Sequence, residues 1–209
     1  VQEKEMKAPL IAISRHRIAT DGVGVTTLVA FHGCPLACKY CLNPQCKRAD
    51  GLWKRMSPKE LLAEVSLDDI YFQATNGGIC FGGGEPLLYS DFILQFAEIM
   101  PSEWNITVET SLNVPLEQLK TIEKAVSKYV IDIKDMDSDI YKRYTGKGNQ
   151  QVIDNLKYLI SKGIGSKACI RLPLIPDFNA EENRTKSEEQ LREMGFDDFD
   201  KFKYFVKEG

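Results

Sequence analysis

Residues 105–110 read Asn105-Ile106-Thr107-Val108-Glu109-Thr110, and residues 129–134 read Tyr129-Val130-Ile131-Asp132-Ile133-Lys134. Between them, 115–127 has the spacing of an amphipathic helix. Strand, helix, strand in that order is a crossover unit, and such units build parallel sheets with helices outside. Side chains along a strand alternate between its two faces. Ile106 and Val108 therefore oppose Thr107 and Glu109, and Ile131 and Ile133 oppose Asp132 and Lys134. The apolar set suits packing under helices, and the polar set then points inward.

The same rhythm extends both ways. Strand-like runs fall at 25–32, 78–81, 105–110, 129–134, 167–173 and 201–206. Helices are expected after Ser57 and over 90–100, 115–127, 151–161 and 180–194. Ser57-Pro58-Lys59-Glu60 is a strong helix start: a serine N-cap, proline at the first helical position, and Glu60 closing a capping box. Ser90 reads as the cap of the next helix. An eight-unit barrel takes about 250 residues. Six units in 209 residues predict an α/β fold, an open partial (β/α)6 barrel with parallel strands and outer helices. No repeat, low-complexity tract or long linker divides the chain, so 1–209 is expected to be a single domain.

In the fifth strand Ile170 and Leu172 oppose Arg171. Glu109, Asp132, Lys134 and Arg171 thus share the inner set. Such groups are costly to bury without partners. A cavity holding water or a polar ligand explains them, and a self-paired ionic network is the other reading.

The net charge of −3 offers no basic footprint for nucleic acid. No apolar run approaches the length that spans a bilayer. Residues 1–13 mix charged and apolar types and lack the core of a signal peptide. A cytoplasmic protein is expected. Six cysteines would suggest disulfides in a small secreted chain, but the cytosol keeps thiols reduced.

Three of the six crowd into Gly33-Cys34-Pro35-Leu36-Ala37-Cys38-Lys39-Tyr40-Cys41, spaced C-x3-C-x2-C. Three thiolates can ligate three irons of a [4Fe–4S] cube and leave the fourth iron open to a small chelating molecule. Zinc is the competing reading. It normally takes four Cys or His ligands, and Cys46 could supply the fourth. Cys80 and Cys169 sit in strands and read as small core residues. Downstream, Phe81-Gly82-Gly83-Gly84-Glu85-Pro86 follows the second strand. Glycines at a strand end let backbone approach a ligand closely, and a tight turn explains them as well.

The cysteine spacing, with an aromatic residue before the last cysteine, resembles the radical S-adenosylmethionine signature. The glycine run resembles that family's GGEP element. The resemblance implies an enzyme whose [4Fe–4S] cluster, held by Cys34, Cys38 and Cys41, passes one electron to S-adenosylmethionine. Methionine and a 5′-deoxyadenosyl radical result, by anaerobic chemistry. Iron–sulfur potentials reach down to roughly −700 mV, and this step needs the low end. The cofactors, not a protein acid or base, carry it.

Within the family the match narrows to glycyl-radical-enzyme activating enzymes of the pyruvate formate-lyase activating type. Asp21-Gly22-Val23-Gly24 is similar to their D-G-P-G, Glu109-Thr110-Ser111 to their D-T-N, and Asp132-Ile133-Lys134 to their D-x-K. Tyr144-Thr145-Gly146, Asn155-Leu156 and the stretch 170–176 also resemble that group. The resemblance places the Tyr40 carbonyl on adenine, Gly83, Gly84 and Glu85 near the methionine amine, and Ser111, Asp132, Ile133 and Lys134 around ribose and carboxylate. It puts Arg171 at the carboxylate or substrate loop. It also implies a monovalent-cation site at Glu109, Thr110, Val130 and Asp132. The implied partners are a glycyl radical enzyme as protein substrate and a flavodoxin- or ferredoxin-type electron donor.

Two departures stand out. Residues 43–59 are too short for the eight-cysteine ferredoxin insert of many relatives. The last expected strand, Lys203-Tyr204-Phe205-Val206, lacks the histidine of their L-P-Y-H stretch. With only His16 and His32 present, a Ser/His/Asp hydrolase is poorly supported. His32 reads as a strand-end or cluster-side residue, His16 as a surface or substrate-facing one, and 181–193 as a solvated helix face. A radical enzyme acting on a small molecule or ribosomal peptide is the alternative function. A zinc or iron–sulfur structural or electron-transfer module is the reading outside enzymes.

Overall fold

The computed structural model describes residues 6–18 and 20–204. Its fold is mixed α/β with an open, unclosed parallel sheet. The chain divides into two compact units. Unit one takes the described residues of Val1–Cys34, Asn43–Glu109 and Glu117–Lys128; unit two takes those of Pro35–Leu42, Thr110–Leu116 and Tyr129–Gly209.

Unit one holds strands β1 (Ala8–Ile18), β2 (Val25–Phe31), β3 (Lys54–Met56), β4 (Gly78–Gly83) and β5 (Asn105–Thr110, to Glu109) in the order β3-β1-β2-β4-β5. β2, β4 and β5 run parallel, as the crossover pattern requires. β1 pairs antiparallel with β2 and with β3. The helices are α1 (Pro58–Val65), α2 (Asp69–Thr75), α3 (Ser90–Ile99) and α4 (Leu116–Ile122, from Glu117). Phe31 centres the core, with ring centroids 5.6 Å from Phe81 and 5.7 Å from Phe92.

Unit two carries β6 (Lys128–Asp132, from Tyr129), β7 (Ala168–Leu174) and β8 (Asp198–Lys203), all parallel and in that order. Its helices are α5 (Ser138–Thr145), α6 (Gln150–Ser161) and α7 (Glu181–Met194). Ile131, Ile170, Leu156 and Leu159 are fully buried. Among the described residues no helix is long and apolar enough to cross a membrane.

All six expected parallel strands are present. β1 and β3 were not foreseen. In β1 the half-buried positions after Ile13 are Arg15 and Arg17, so charges interrupt the apolar alternation that marks a strand. Arg15 is satisfied by Asp68 and Glu64, and Arg17 by Asp21. β8 begins three residues before the expected 201. Residues 204–206 continue the strand-like pattern, but pairing with β7 fixes Asp198–Lys203; Phe205 and Val206 lie outside the described residues. Ser90 is the first residue of α3, and its N-cap is Tyr89.

Candidate active site

In unit one the end of β2 leads to Cys34. Gly33 has φ +99, donates its N–H to the Cys46 carbonyl at 2.7 Å and accepts from Glu85 N at 2.8 Å. Gly84 N donates to Phe31 O at 2.9 Å. A Cβ on Gly84 would stand 2.1 Å from Gly33 O, and Gly83 has φ +89. The glycine run is therefore required by the approach of β4's end to the backbone just before Cys34. Asn43 Nδ2 donates to Gly83 O at 3.0 Å and holds that end from the other side of the cysteine loop. Glu85 is buried, and its carboxylate accepts from Leu87 N at 3.2 Å, capping a short 3-10 turn.

Glu109 leaves β5 over the same glycines: a Cβ on Gly82 would lie 3.0 Å from Glu109 Oε2. Nearby, buried Asp21 pairs with Arg17 through both carboxylate oxygens. The Asp21 hydrogen bond outweighs desolvation and, with the charges of Asp21 and Glu109, holds the Arg17 guanidinium above its ordinary range. His32 Nε2 meets Arg48 O at 2.8 Å. His16 Nε2 lies 3.2 Å from Asp68, with its ring 4.5 Å from Tyr71.

In unit two the rest of the cysteine loop is tied to the end of α5. Ala37 N donates to Thr145 O at 2.7 Å and Lys39 N to Tyr144 O at 3.2 Å. The Tyr40 hydroxyl donates to Asp177 Oδ2 at 2.9 Å, and its ring meets Phe178 edge-on at 5.7 Å. Cys38 packs against a buried cluster of Tyr144, Ile175 and Tyr204.

Asp132, Arg171 and Asp200 occupy one rung across β6, β7 and β8. Arg171 Nε lies 3.4 Å from Asp200 Oδ2. Lys134 follows β6 and is 9% exposed; its Nζ donates to Asp132 Oδ2 at 2.5 Å and to the Tyr204 hydroxyl at 2.9 Å. Desolvation pulls the Lys134 ammonium down, but the charge of Asp132, then those of Tyr204 and Cys38, hold it above its ordinary value. The inner polar set is thus partly self-paired. It is not fully satisfied, because Asp132 Oδ1 and the Tyr144 hydroxyl are buried without a hydrogen-bond partner.

Asn179 locks this end of the unit. Its Oδ1 accepts from Ile175 N at 2.6 Å, and its Nδ2 donates to Pro173 O and Asp135 Oδ2 at 3.2 and 3.1 Å. Thr110 Oγ1 accepts from Leu112 N at 2.9 Å, and Ser111 Oγ from Asn113 N at 3.4 Å. Ile133 N donates to Arg171 O at 3.0 Å, and Val130 stands beside Cys169 in the ladder.

In the sequence Tyr144 stands only within a family-like Tyr-Thr-Gly stretch and Tyr204 only in the last expected strand, and neither they nor Asn179 are given a site role. The unsatisfied Tyr144 hydroxyl and the Lys134–Tyr204 contact are what set the two tyrosines apart. All six cysteines stand as thiols. Cys34, Cys38 and Cys41 are half-buried, and Cys46 and Cys80 are buried. Cys169 is half-buried, not the core residue expected, because it sits on the less covered face of β7. Among the described residues no three or more His, Cys, Asp or Glu side chains form a ready metal site. The half-buried thiols do have the donor chemistry an iron–sulfur cluster takes, and the unsatisfied Asp132 and Tyr144 atoms suit a polar ligand.

The sequence matches the Radical SAM superfamily over residues 28–186. It is 33% identical over 179 residues to a pyruvate formate-lyase-activating enzyme of Clostridium pasteurianum, covering 83% of this chain and 69% of that one. It is 30% identical over 202 residues to the pyruvate formate-lyase 2-activating enzyme of Escherichia coli, covering 82% and 68%. Among solved structures, Streptococcus suis SuiB bound to the precursor peptide SuiA shares the fold, with a TM-score of 0.62 and 17% identity over 82% of this chain and 37% of that one.

Proposed function

The chain belongs to the radical SAM superfamily, and from that premise we propose that it is an activating enzyme for a glycyl radical enzyme. Membership implies an iron–sulfur cluster and S-adenosylmethionine. The finer reading assigns the cluster to Cys34, Cys38 and Cys41. When bound, these groups supply a 5′-deoxyadenosyl radical that takes a hydrogen from a glycine Cα of the partner. The observation that carries the activase reading is the likeness to pyruvate formate-lyase-activating enzymes across more than four fifths of the chain.

This chain's own residues bind and orient. Gly83 and Gly84 expose backbone at the end of β4, with Glu85 behind them, for the methionine amine. Asp132 and Lys134 take ribose and carboxylate, with Ser111 and the Ile133 backbone alongside. Lys134 is suited to an anionic group because its charge is held by Asp132 inside a buried setting. Tyr40 presents its backbone carbonyl to adenine while its ring is anchored on Asp177. Arg171 serves the carboxylate or the substrate loop. A monovalent cation at Glu109, Thr110, Val130 and Asp132 belongs to the same proposal. The reading takes the chain as one catalytic domain.

The partner is a glycyl radical enzyme, and a flavodoxin- or ferredoxin-type protein delivers the electron. The test is electron paramagnetic resonance of candidate glycyl radical enzymes after anaerobic incubation with the reconstituted protein, S-adenosylmethionine and a strong reductant. A glycyl doublet on one partner is expected. Release of 5′-deoxyadenosine with no doublet on any of them would move the substrate to a peptide or small molecule. No iron cluster and no cleavage would remove the enzyme reading altogether.

A further inference from the structure

Two of the unsatisfied atoms of unit two, Asp132 Oδ1 and the Tyr144 hydroxyl, are a complementary pair. Asp132 Oδ1 can only accept a hydrogen bond, and the Tyr144 hydroxyl can donate one. Tyr144 is 1% exposed, and its ring lies 5.0 Å from Phe178 and 6.3 Å from Tyr40. Its backbone carbonyl accepts from Lys39, midway between Cys38 and Tyr40. The phenol is thus fixed from both ends, with no freedom to swing out to water.

Charged and polar groups lie around its hydroxyl: desolvation, then the charge of Tyr204, push the phenol's pKa up, with Lys134 opposing and Cys38 and Asp132 adding to the rise. Lys134 spends two of its three protons on Asp132 and Tyr204. One more donor, the Tyr144 O–H, and one acceptor, Asp132 Oδ1, are left over. A buried hydroxyl without a partner is a net cost to the fold, and native proteins keep few of them. The matching ligand carries both a hydrogen-bond acceptor and a donor, such as a carboxylate or ether oxygen beside a sugar hydroxyl. S-adenosylmethionine has both.

We propose that the Tyr144 hydroxyl is a cofactor-binding group, donating a hydrogen bond to S-adenosylmethionine beside Asp132. The inference rests on the radical-enzyme reading above and adds a residue that the motif correspondence does not assign. Tyr144 binds and does not take part in bond cleavage.

Tyr144→Phe keeps the ring and removes only the hydroxyl. Two readouts of opposite sign are expected. Cluster-free Tyr144→Phe should unfold at a temperature a few degrees above wild type, because the orphaned group is gone. Reconstituted Tyr144→Phe should bind S-adenosylmethionine about tenfold more weakly in equilibrium dialysis. A merely structural tyrosine moves the first and not the second, so binding within about twofold of wild type overturns the proposal. A fall in unfolding temperature also overturns it, because the hydroxyl would then have a partner inside the protein. Failure of the underlying reading is separate: wild type itself would then take up no cluster and bind no S-adenosylmethionine.

Discussion

Lys134 Nζ sits 2.5 Å from Asp132 Oδ2, and the two side chains differ in exposure, 9% for the lysine and 23% for the aspartate. Breaking a buried pair costs most when the partner left behind cannot reach water. Asp132→Asn strands the lysine charge and should cost the cluster-free protein about 3 kcal/mol in urea unfolding. Lys134→Met leaves its charge on the less buried of the two side chains, and should cost clearly less. Equal losses would mean that the Lys134 ammonium is hydrated in the folded protein.

Gly84 and Gly148 give a contrast within one residue type. A Cβ on Gly84 would lie 2.1 Å from Gly33 O, a backbone atom with no rotamer to yield, whereas one on Gly148 meets nothing within 4 Å. Gly84→Ala should lose at least about 3 kcal/mol or fail to fold. Gly148→Ala should be neutral or stabilising by up to about 1 kcal/mol, through the unfolded state. Thermal unfolding of both variants checks this, and a tolerant Gly84→Ala would show that β4's end can move away from the cysteine loop.

How much of this could be read from the sequence depends on whether the signal was local. The Ser57 capping box, the six parallel strands and the inner placement of Asp132 and Lys134 follow from residues a few positions apart, and the structure carries all of them. β1 was hidden because charges break its alternation and Arg15 finds its partners, Glu64 and Asp68, 49 and 53 residues away. Glu85 was legible as part of a glycine motif, but its burial as the cap of a short turn was not. Tyr144 and Tyr204 illustrate the limit: a core aromatic and a ligand-facing one have the same spacing, and only the fate of the hydroxyl separates them.

The proposed cluster ligands and the other cysteines should part company on substitution. Alanine at Cys34, Cys38 or Cys41 should drop the iron content of the anaerobically reconstituted protein from about four per chain towards zero. Cys46→Ala should keep the iron. Cys46 packs with Ile11 and Ala30, so its loss should cost about 1 kcal/mol of stability by leaving a small cavity. Iron retained in Cys38→Ala, or lost in Cys46→Ala, would redraw the ligand set.

The start of α1 yields a prediction in pH. Ser57 N donates to Glu60 Oε2 at 2.7 Å, Glu60 N donates to Ser57 Oγ at 3.3 Å, and Lys7 Nζ lies 3.1 Å from the same carboxylate. The Ser57 N–H, then Lys7, hold the Glu60 carboxyl below its ordinary range. A carboxyl whose pKa is lower folded than unfolded binds fewer protons in the native state, so its contribution is present above the unfolded pKa of about 4.3. That contribution is lost as pH falls through the folded value. The stability gap between wild type and Glu60→Gln should therefore be flat from about pH 8 to 5 and close below about pH 4. Ser57→Ala removes the cap itself and should cost about 1 kcal/mol at neutral pH. Urea unfolding of the cluster-free proteins across this range tests both, and a gap that persists unchanged into acid would show that the Glu60 carboxylate is not what the cap uses.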